Sequence, residues 1–263
     1  MASRNIVTLF LISYLFFSSS PTVSAARVSS ASSDKVTLAL YYETLCPYCS
    51  NFIVNYLPKL FEKGLIQIVD LQLVPYGNGK IGSNNTIACQ HGTYECLLNT
   101  VEACAINAWP DLNKHFTFIY CVERLVMEDK YSEWESCFAK TGFESKPIVD
   151  CYNSGYGHQL DLKLAAETKA LQPPHTYVPW VTVDGQPLYD DYKYFVSFIC
   201  KAYKGAAVPK ACRELPVKTI PKAEANQSPQ VSYVEETAQP TRSTKIRSTV
   251  TTWRRQMKMA SSE

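Results

Sequence analysis

Two cysteines, Cys46 and Cys49, flank Pro47-Tyr48 where a short apolar run gives way to an amphipathic one. Val36 to Tyr42 is apolar, short and rich in strand formers, so it reads as a buried strand. After the cysteines, Phe52, Ile53, Tyr56, Leu57, Leu60 and Phe61 recur with helical spacing, and Pro58 is expected to kink or shorten that helix. Leu65 to Val74 alternates well enough for a second strand. Strand, helix, strand in this order predicts a βαβ unit with parallel pairing. Two intervening residues let both sulfurs meet in the first turn of the helix as a reversible disulfide. The helix N-terminus carries partial positive charge and unpaired N–H groups, which stabilise a thiolate. Cys46, at the helix start, is therefore the expected attacking sulfur and Cys49 the resolving one. Zinc ribbons and structural bridges use the same spacing, but the strand before and helix after favour redox chemistry.

The middle of the chain reads as helical. Leu97, Val101, Cys104, Ala105 and Ala108 share a face that Trp109-Pro110 ends, and 112–127 predicts another helix. Ser132 with Glu135 forms a capping-box pattern, and Gly142 is a plausible stop. Leu160, Leu164, Ala165 and Leu171 mark one more helix before Pro173-Pro174. Strand signals return at 179–183, with Asp184-Gly185 as a hairpin turn and 186–189 as the partner, followed by a closing helix around 194–199. Beyond Leu215 the periodicity fades. Residues 216–263 carry eight Lys/Arg against four Asp/Glu and read as a disordered basic tail. Within it, 253–259 reads as a solvated stretch or a short basic surface helix.

Arg4 precedes an apolar run over 6–17 that is shorter than the roughly 20 residues a bilayer span needs. Small residues at Val23-Ser24-Ala25 suit signal peptidase, so 1–25 is expected to be a cleaved leader and 26–34 a short N-terminal segment. No later segment is apolar enough to span, so no stable membrane insertion of the mature form is expected. An exported chain with ten cysteines points to disulfides. With Cys46 and Cys49 set aside, Cys89, Cys96, Cys104, Cys121, Cys137, Cys151, Cys200 and Cys212 suffice for four bridges whose pairing the sequence leaves open. Asn84 and Asn226 lie in glycosylation sequons, the second weakened by Pro229. A net charge of +2 leaves no nucleic-acid footprint.

From Cys89 to Cys104 the chain reads C-Q-H-G-T-Y-E-C-L-L-N-T-V-E-A-C. It matches C-Q-H-G-x-x-E-C-x-x-N-x-x-x-x-C at every defined position, and thereby resembles the signature of the gamma-interferon-inducible lysosomal thiol reductase family. The Cys-x-x-Cys upstream and Val178 to Gly185 downstream resemble that family too, over roughly residues 35–213. The resemblance implies an α/β, thioredoxin-like fold over 35–215 with a helical, disulfide-stapled insertion at about 85–172. It implies Cys46 and Cys49 as catalytic, and Pro179 as a cis-proline that, with Val178, receives substrate backbone. It also implies reduction of polypeptide disulfides in an acidic endolysosomal or vacuolar compartment, with lysosome, vacuole and extracellular space left open, and a precursor trimmed at its termini, which makes 216–263 a candidate propeptide. An external small or protein thiol would recycle the enzyme, with no metal or organic cofactor. The competing readings are a secretory-pathway oxidase or isomerase, and a non-catalytic disulfide-rich binding protein. Gln90, His91, Glu95 and Asn99 acquire no chemistry of their own at this level; a segment holding an insertion helix accounts for them, ahead of a Cys–His zinc site.

Overall fold

The computed structural model describes residues 35–215 and 230–234. The expected leader, the sequon at Asn226 and the 253–259 stretch lie outside them. Strand β1 (Val36–Tyr42) is central in a four-stranded sheet of order β2-β1-β6-β7, flanked by β2 (Val69–Pro75), β6 (Trp180–Val183) and β7 (Gln186–Pro187). Its central place explains its unbroken apolar run, since both of its faces are covered. β1 and β2 pair in parallel, from Val36 opposite Val69 to Tyr42 opposite Pro75, as the strand–helix–strand order predicts. β6 runs antiparallel to β1, with Trp180 opposite Tyr41.

Helix α1 (Pro47–Asn55) follows β1 and breaks at Pro58, after which α2 (Lys59–Glu62) is a single turn. The second strand begins later than the alternation suggests. Gly64, at φ 65°, ends α2, and Leu65–Gln67 forms a 3-10 turn before β2 starts at Val69. The hairpin turn is as expected: Asp184 and Gly185 have φ 47° and 76°, the positive pair that a two-residue primed turn requires. Helix α8 (Phe195–Ala202) closes the sheet, and α9 (Lys210–Arg213) ends the main described stretch.

Between β2 and the later strands lie a small hairpin, β3 (Lys80–Ile81) with β4 (Ile87–Ala88), and five helices: α3 (Thr93–Ala108), α4 (Leu112–Met127), α5 (Ser136–Thr141), α6 (Lys146–Asn153) and α7 (Tyr156–Lys169). This is a thioredoxin-like α/β fold carrying a helical insertion. The insertion has its own apolar cluster, built on Leu98, Val101, Phe118, Val122, Trp134 and Ile148. Ser132 does not cap a helix. It falls in a 3-10 turn, Tyr131–Glu133, and α5 starts only at Ser136, after Glu135. Trp134, 1% exposed, is drawn into the insertion core, and that packing outweighs the local capping pattern. Gly142, at φ 72°, ends α5 as expected. Among the described residues, no helix is long and apolar enough to cross a membrane.

The tail is not featureless throughout. Residues 230–234 contribute β8 (Ser232–Tyr233), which pairs antiparallel with β5 (Tyr177–Val178). Local composition misses this strand because its partner lies some 50 residues earlier and its bonds are main-chain ones.

Eight cysteines form four bridges: Cys89–Cys96, Cys104–Cys151, Cys121–Cys137 and Cys200–Cys212. Cys104–Cys151 ties α3 to α6 across 47 residues, whereas Cys200–Cys212 spans 12. In a chain-entropy account the longer loop stabilises by about 4 kcal/mol and the shorter by about 3 kcal/mol. Replacing both members of Cys104–Cys151 by Ala is therefore expected to lower the urea midpoint more than the same change at Cys200–Cys212. Equal midpoints would contradict this ordering.

Candidate active site

Cys46 is the N-cap of α1, with φ −76° and ψ 117°, and Pro47 occupies the first turn, where a missing N–H costs nothing. Among the described residues, Cys46 and Cys49 are the two unbridged cysteines, and both are buried. Burial pushes the Cys49 thiol well up. The neighbouring Cys46 sulfur and the Glu43 carboxylate add to this, while a main-chain hydrogen bond from Glu43 opposes it. Cys49 is thus held as a thiol one turn behind Cys46. Ser50 Oγ donates to the Cys46 carbonyl at 3.1 Å and steadies the turn between them.

The segment that presents Cys46 is gripped from the signature region. The Thr44 N–H donates to Asn99 Oδ1 at 3.0 Å, and Thr44 Oγ1 donates to the Glu95 carbonyl at 3.4 Å. His91 Nδ1 lies 2.5 Å from Glu95 Oε2 and 3.3 Å from Glu43 Oε1. Both carboxyl groups are fully buried, and the His91 ring, about one-third exposed, is a polar partner to each. Glu43 Oε2 also accepts the Asn78 N–H at 2.9 Å. Gly77 makes that approach possible: at φ 60°, a Cβ there would meet the Glu43 side chain at 2.5 Å. Gln90 bonds to Asn78 and to β8, and the Cys89–Cys96 bridge closes the loop that carries Gln90 and His91. Every defined side chain of the signature therefore has a structural task around the Glu43–Leu45 turn or in the bridges of the insertion. A Cys–His zinc site is ruled out here, because Cys89, Cys96 and Cys104 are all in disulfides.

The remaining expected site residues are placed as follows. Val178 is fully buried at the end of β5, and the Val178–Pro179 bond is cis. Pro179 precedes β6 at the end where β1 leads on to Cys46, since Trp180 pairs with Tyr41. Asn84 is exposed in a 3-10 turn, Ser83–Asn85. A cavity of about 410 Å3 opens beside Pro47, lined by Leu45, His91, Tyr94, Met127 and Tyr131 among others.

Sequence reasoning missed a set of acidic groups behind the thiols. Glu102 on α3 and Glu123 on α4 are both fully buried and lie against each other. Tyr42 donates to Glu102 Oε2 at 2.5 Å. Burial pushes the Glu102 carboxyl up to about 8, and it raises Glu123 well above the ordinary range, the neighbouring Glu102 adding to the effect. Asp161 on α7, which accepts from Thr100 Oγ1 at 2.6 Å, is pushed up to about 7 by burial. The available signal was a glutamate on each of two otherwise apolar helix faces: Glu102 beside Leu98 and Ala105, and Glu123 beside Ile119 and Val122.

A strand-and-helix frame with two unbridged thiols at the helix start defines a thiol–disulfide oxidoreductase. The model of the family described as gamma interferon inducible lysosomal thiol reductase matches residues 37–141. The Arabidopsis thaliana gamma-interferon-responsive lysosomal thiol protein is 48% identical over 184 residues, covering 68% of this chain and 76% of the relative. The Mus musculus gamma-interferon-inducible lysosomal thiol reductase is 36% identical over 190 residues, covering 70% of this chain and 74% of the relative. The chain belongs to the gamma-interferon-inducible lysosomal thiol reductase family. Among solved structures, the reduced disulfide oxidoreductase DsbG of Mycobacterium tuberculosis shares 17% identity over 68% of this chain and 84% of its own, with a TM-score of 0.44.

The buried acids set a pH dependence. A carboxyl whose pKa is raised by folding contributes stability that is full below its unfolded value and lost as pH rises towards its folded one. Glu102 therefore weakens the fold as pH climbs from about 4.5 towards 8 and Asp161 as it climbs from about 3.8 towards 7, and Glu123, raised well above its ordinary value, acts in the same direction. His115 and His175, lowered by burial, act oppositely, but only below about pH 6.5. Between pH 6.5 and 8 unfolding stability should fall, on the order of 1 kcal/mol per pH unit for each acid still protonated in the fold. Glu102→Gln, which keeps an acceptor for Tyr42, should flatten the slope. Urea midpoints that hold level or rise across this window would refute the assignment.

Proposed function

We propose that the protein reduces disulfide bonds of polypeptide substrates in an acidic endolysosomal or vacuolar compartment, or after secretion. The observation that carries this reading is the pair of unbridged thiols at the start of α1, with Cys46 as its N-cap. The Cys46 thiolate attacks one sulfur of a substrate disulfide, forming a mixed disulfide and releasing the other substrate sulfur as a thiolate that takes up a proton. Cys49 then loses its proton and attacks the Cys46 sulfur. The second substrate thiol leaves, and Cys46–Cys49 remains as the oxidised pair. An external thiol returns the two electrons. Val178 and Pro179 form the part of the site that receives substrate backbone. No metal or organic cofactor takes part in this sequence.

Two observations favour the acidic setting. The relatives carry lysosomal names. The buried carboxyls Glu102, Glu123 and Asp161 favour the fold where protons are abundant. Entry to the secretory pathway through a leader at 1–25 accords with four disulfides, and exposed Asn84 is the proposed glycan acceptor. Oxidase chemistry is the same reaction reversed. A reduction potential well below about −200 mV favours the reductase, and one near −120 mV the oxidase.

Cys46→Ser should abolish turnover of a denatured disulfide-bonded protein at pH 5. Cys49→Ser should accumulate a mixed disulfide, visible as a covalent adduct on non-reducing gels. Sustained multiple turnover by Cys49→Ser would reverse the assigned roles.

A further inference from the structure

The thiols that perform this chemistry have no exposed surface: Cys46 and Cys49 are both 0% exposed. Part of their surroundings comes from far along the chain. In the antiparallel ladder of β5 and β8, Tyr177 stands opposite Tyr233 and Val178 opposite Ser232, and the Val234 N–H donates to the Thr176 carbonyl at 3.1 Å. Val231 is 5% exposed and belongs to the same apolar cluster as Cys46, Cys49, Val178 and Tyr192.

Residues 230–234 are also held by three side chains from earlier in the chain. The Tyr192 phenol, whose ionisation is opposed by burial and by both Cys49 and Cys46, donates to the Gln230 carbonyl at 2.9 Å. Asn78 Nδ2 donates to the Ser232 carbonyl at 3.1 Å, and Gln90 Nε2 donates to the Tyr233 carbonyl at 3.1 Å. Asn78 is the same residue that holds Glu43, three positions before Cys46. Besides the β5–β8 ladder, these bonds hold three main-chain carbonyls and one N–H of the strand, and two of its side chains are also held: Ser232 Oγ donates to Gln90 Oε1 at 3.1 Å, and Gln230 Oε1 accepts from Lys193 Nζ at 2.6 Å. Any extended polypeptide offers the same main-chain groups in the same alternation, and strand addition of this kind depends little on side-chain identity.

We infer that the edge of β5, completed by Asn78, Gln90 and Tyr192, is a strand-receiving site beside Cys46 whose resident strand is the chain's own residues 230–234. An extended polypeptide substrate must displace that strand to reach the thiol. The inference rests on the reading that Cys46 attacks polypeptide disulfides, and adds that the tail competes for the place where such a substrate lies. Lifting 230–234 away, by cleavage on either side or by a stronger strand, uncovers the site. Apparent reactivity scales with the fraction of molecules in which the site is open, so a strand docked nine-tenths of the time slows Cys46 about tenfold.

The test uses the full chain in a Cys49→Ser background, so that Cys46 alone reports. Val231→Asp places a charge at a buried position of the resident strand. Val234→Pro removes the N–H that bonds Thr176. Both should raise the rate of iodoacetamide alkylation of Cys46 about tenfold. A synthetic peptide of residues 228–236 added to either variant should slow it again, while the same peptide with Pro at position 234 should not; a general loosening of the fold would not respond to the peptide. With Cys49 restored, both variants should show a lower KM for a denatured disulfide protein. Alkylation within about twofold of the unaltered chain in both variants overturns the inference. Absence of turnover in both variants with Cys49 restored, together with tail-dependent alkylation, would sink the reductase reading and leave the strand site standing. Turnover with tail-independent alkylation would do the reverse.

Discussion

Everything at the site depends on how the three residues Glu43, Thr44 and Leu45 are held. They join the central strand to the helix that Cys46 caps, and a turn of this kind, left to itself, has buried main-chain groups with nothing to bond. Asn99 takes the Thr44 N–H, the Glu95 carbonyl takes the Thr44 hydroxyl, and His91 sits between the carboxylates of Glu43 and Glu95. An unmet buried N–H costs about 1–3 kcal/mol, and an unpaired buried carboxylate costs more. The helical insertion thus does more than decorate the sheet. It supplies partners without which this turn would be too costly to bury.

The same economy explains the two cores. The sheet cluster contains Cys46 and Cys49, while the insertion cluster lies around α3, α4 and α5. Helices α3 and α4 belong to both: their apolar faces build the insertion, and Glu102 and Glu123 point from them towards Tyr42 and the thiols. Bridges Cys104–Cys151 and Cys121–Cys137 fasten these two helices to α6 and α5. Acids placed in such surroundings stay protonated well above their usual range because nothing nearby stabilises their charge as well as water would.

Much of this was legible in the residues. The apolar run of β1, the helix-spaced face after Cys49 and the Asp184-Gly185 turn each express a local rule, and each element stands where the pattern puts it. Local rules lost where distant packing intervened. Ser132 has the right neighbours for a cap, yet Trp134 pulls that turn into the insertion core. Alternation from Leu65 promised a strand four residues before β2 begins, because Gly64 leaves the chain in a left-handed turn. The tasks of His91, Glu95 and Asn99 at this turn could not be read, although His91 and Glu95 also pair locally at i, i+4. Their partners, Glu43 and Thr44, lie some 50 residues earlier, and a contact of that range leaves no periodicity. Strand β8 was invisible for the same reason.

Glu102, Glu123 and Asp161 have a consequence for the life history of the molecule. A protein whose interior acids prefer to keep their protons is least secure near neutrality and gains firmness as its surroundings acidify. Wherever such a chain begins in a neutral milieu and ends in an acidic one, it is assembled under the less favourable condition of the two. Its cystine cross-links do not titrate. They are the share of the stability that stays constant across such a change, fastening the fold whatever the state of its acids.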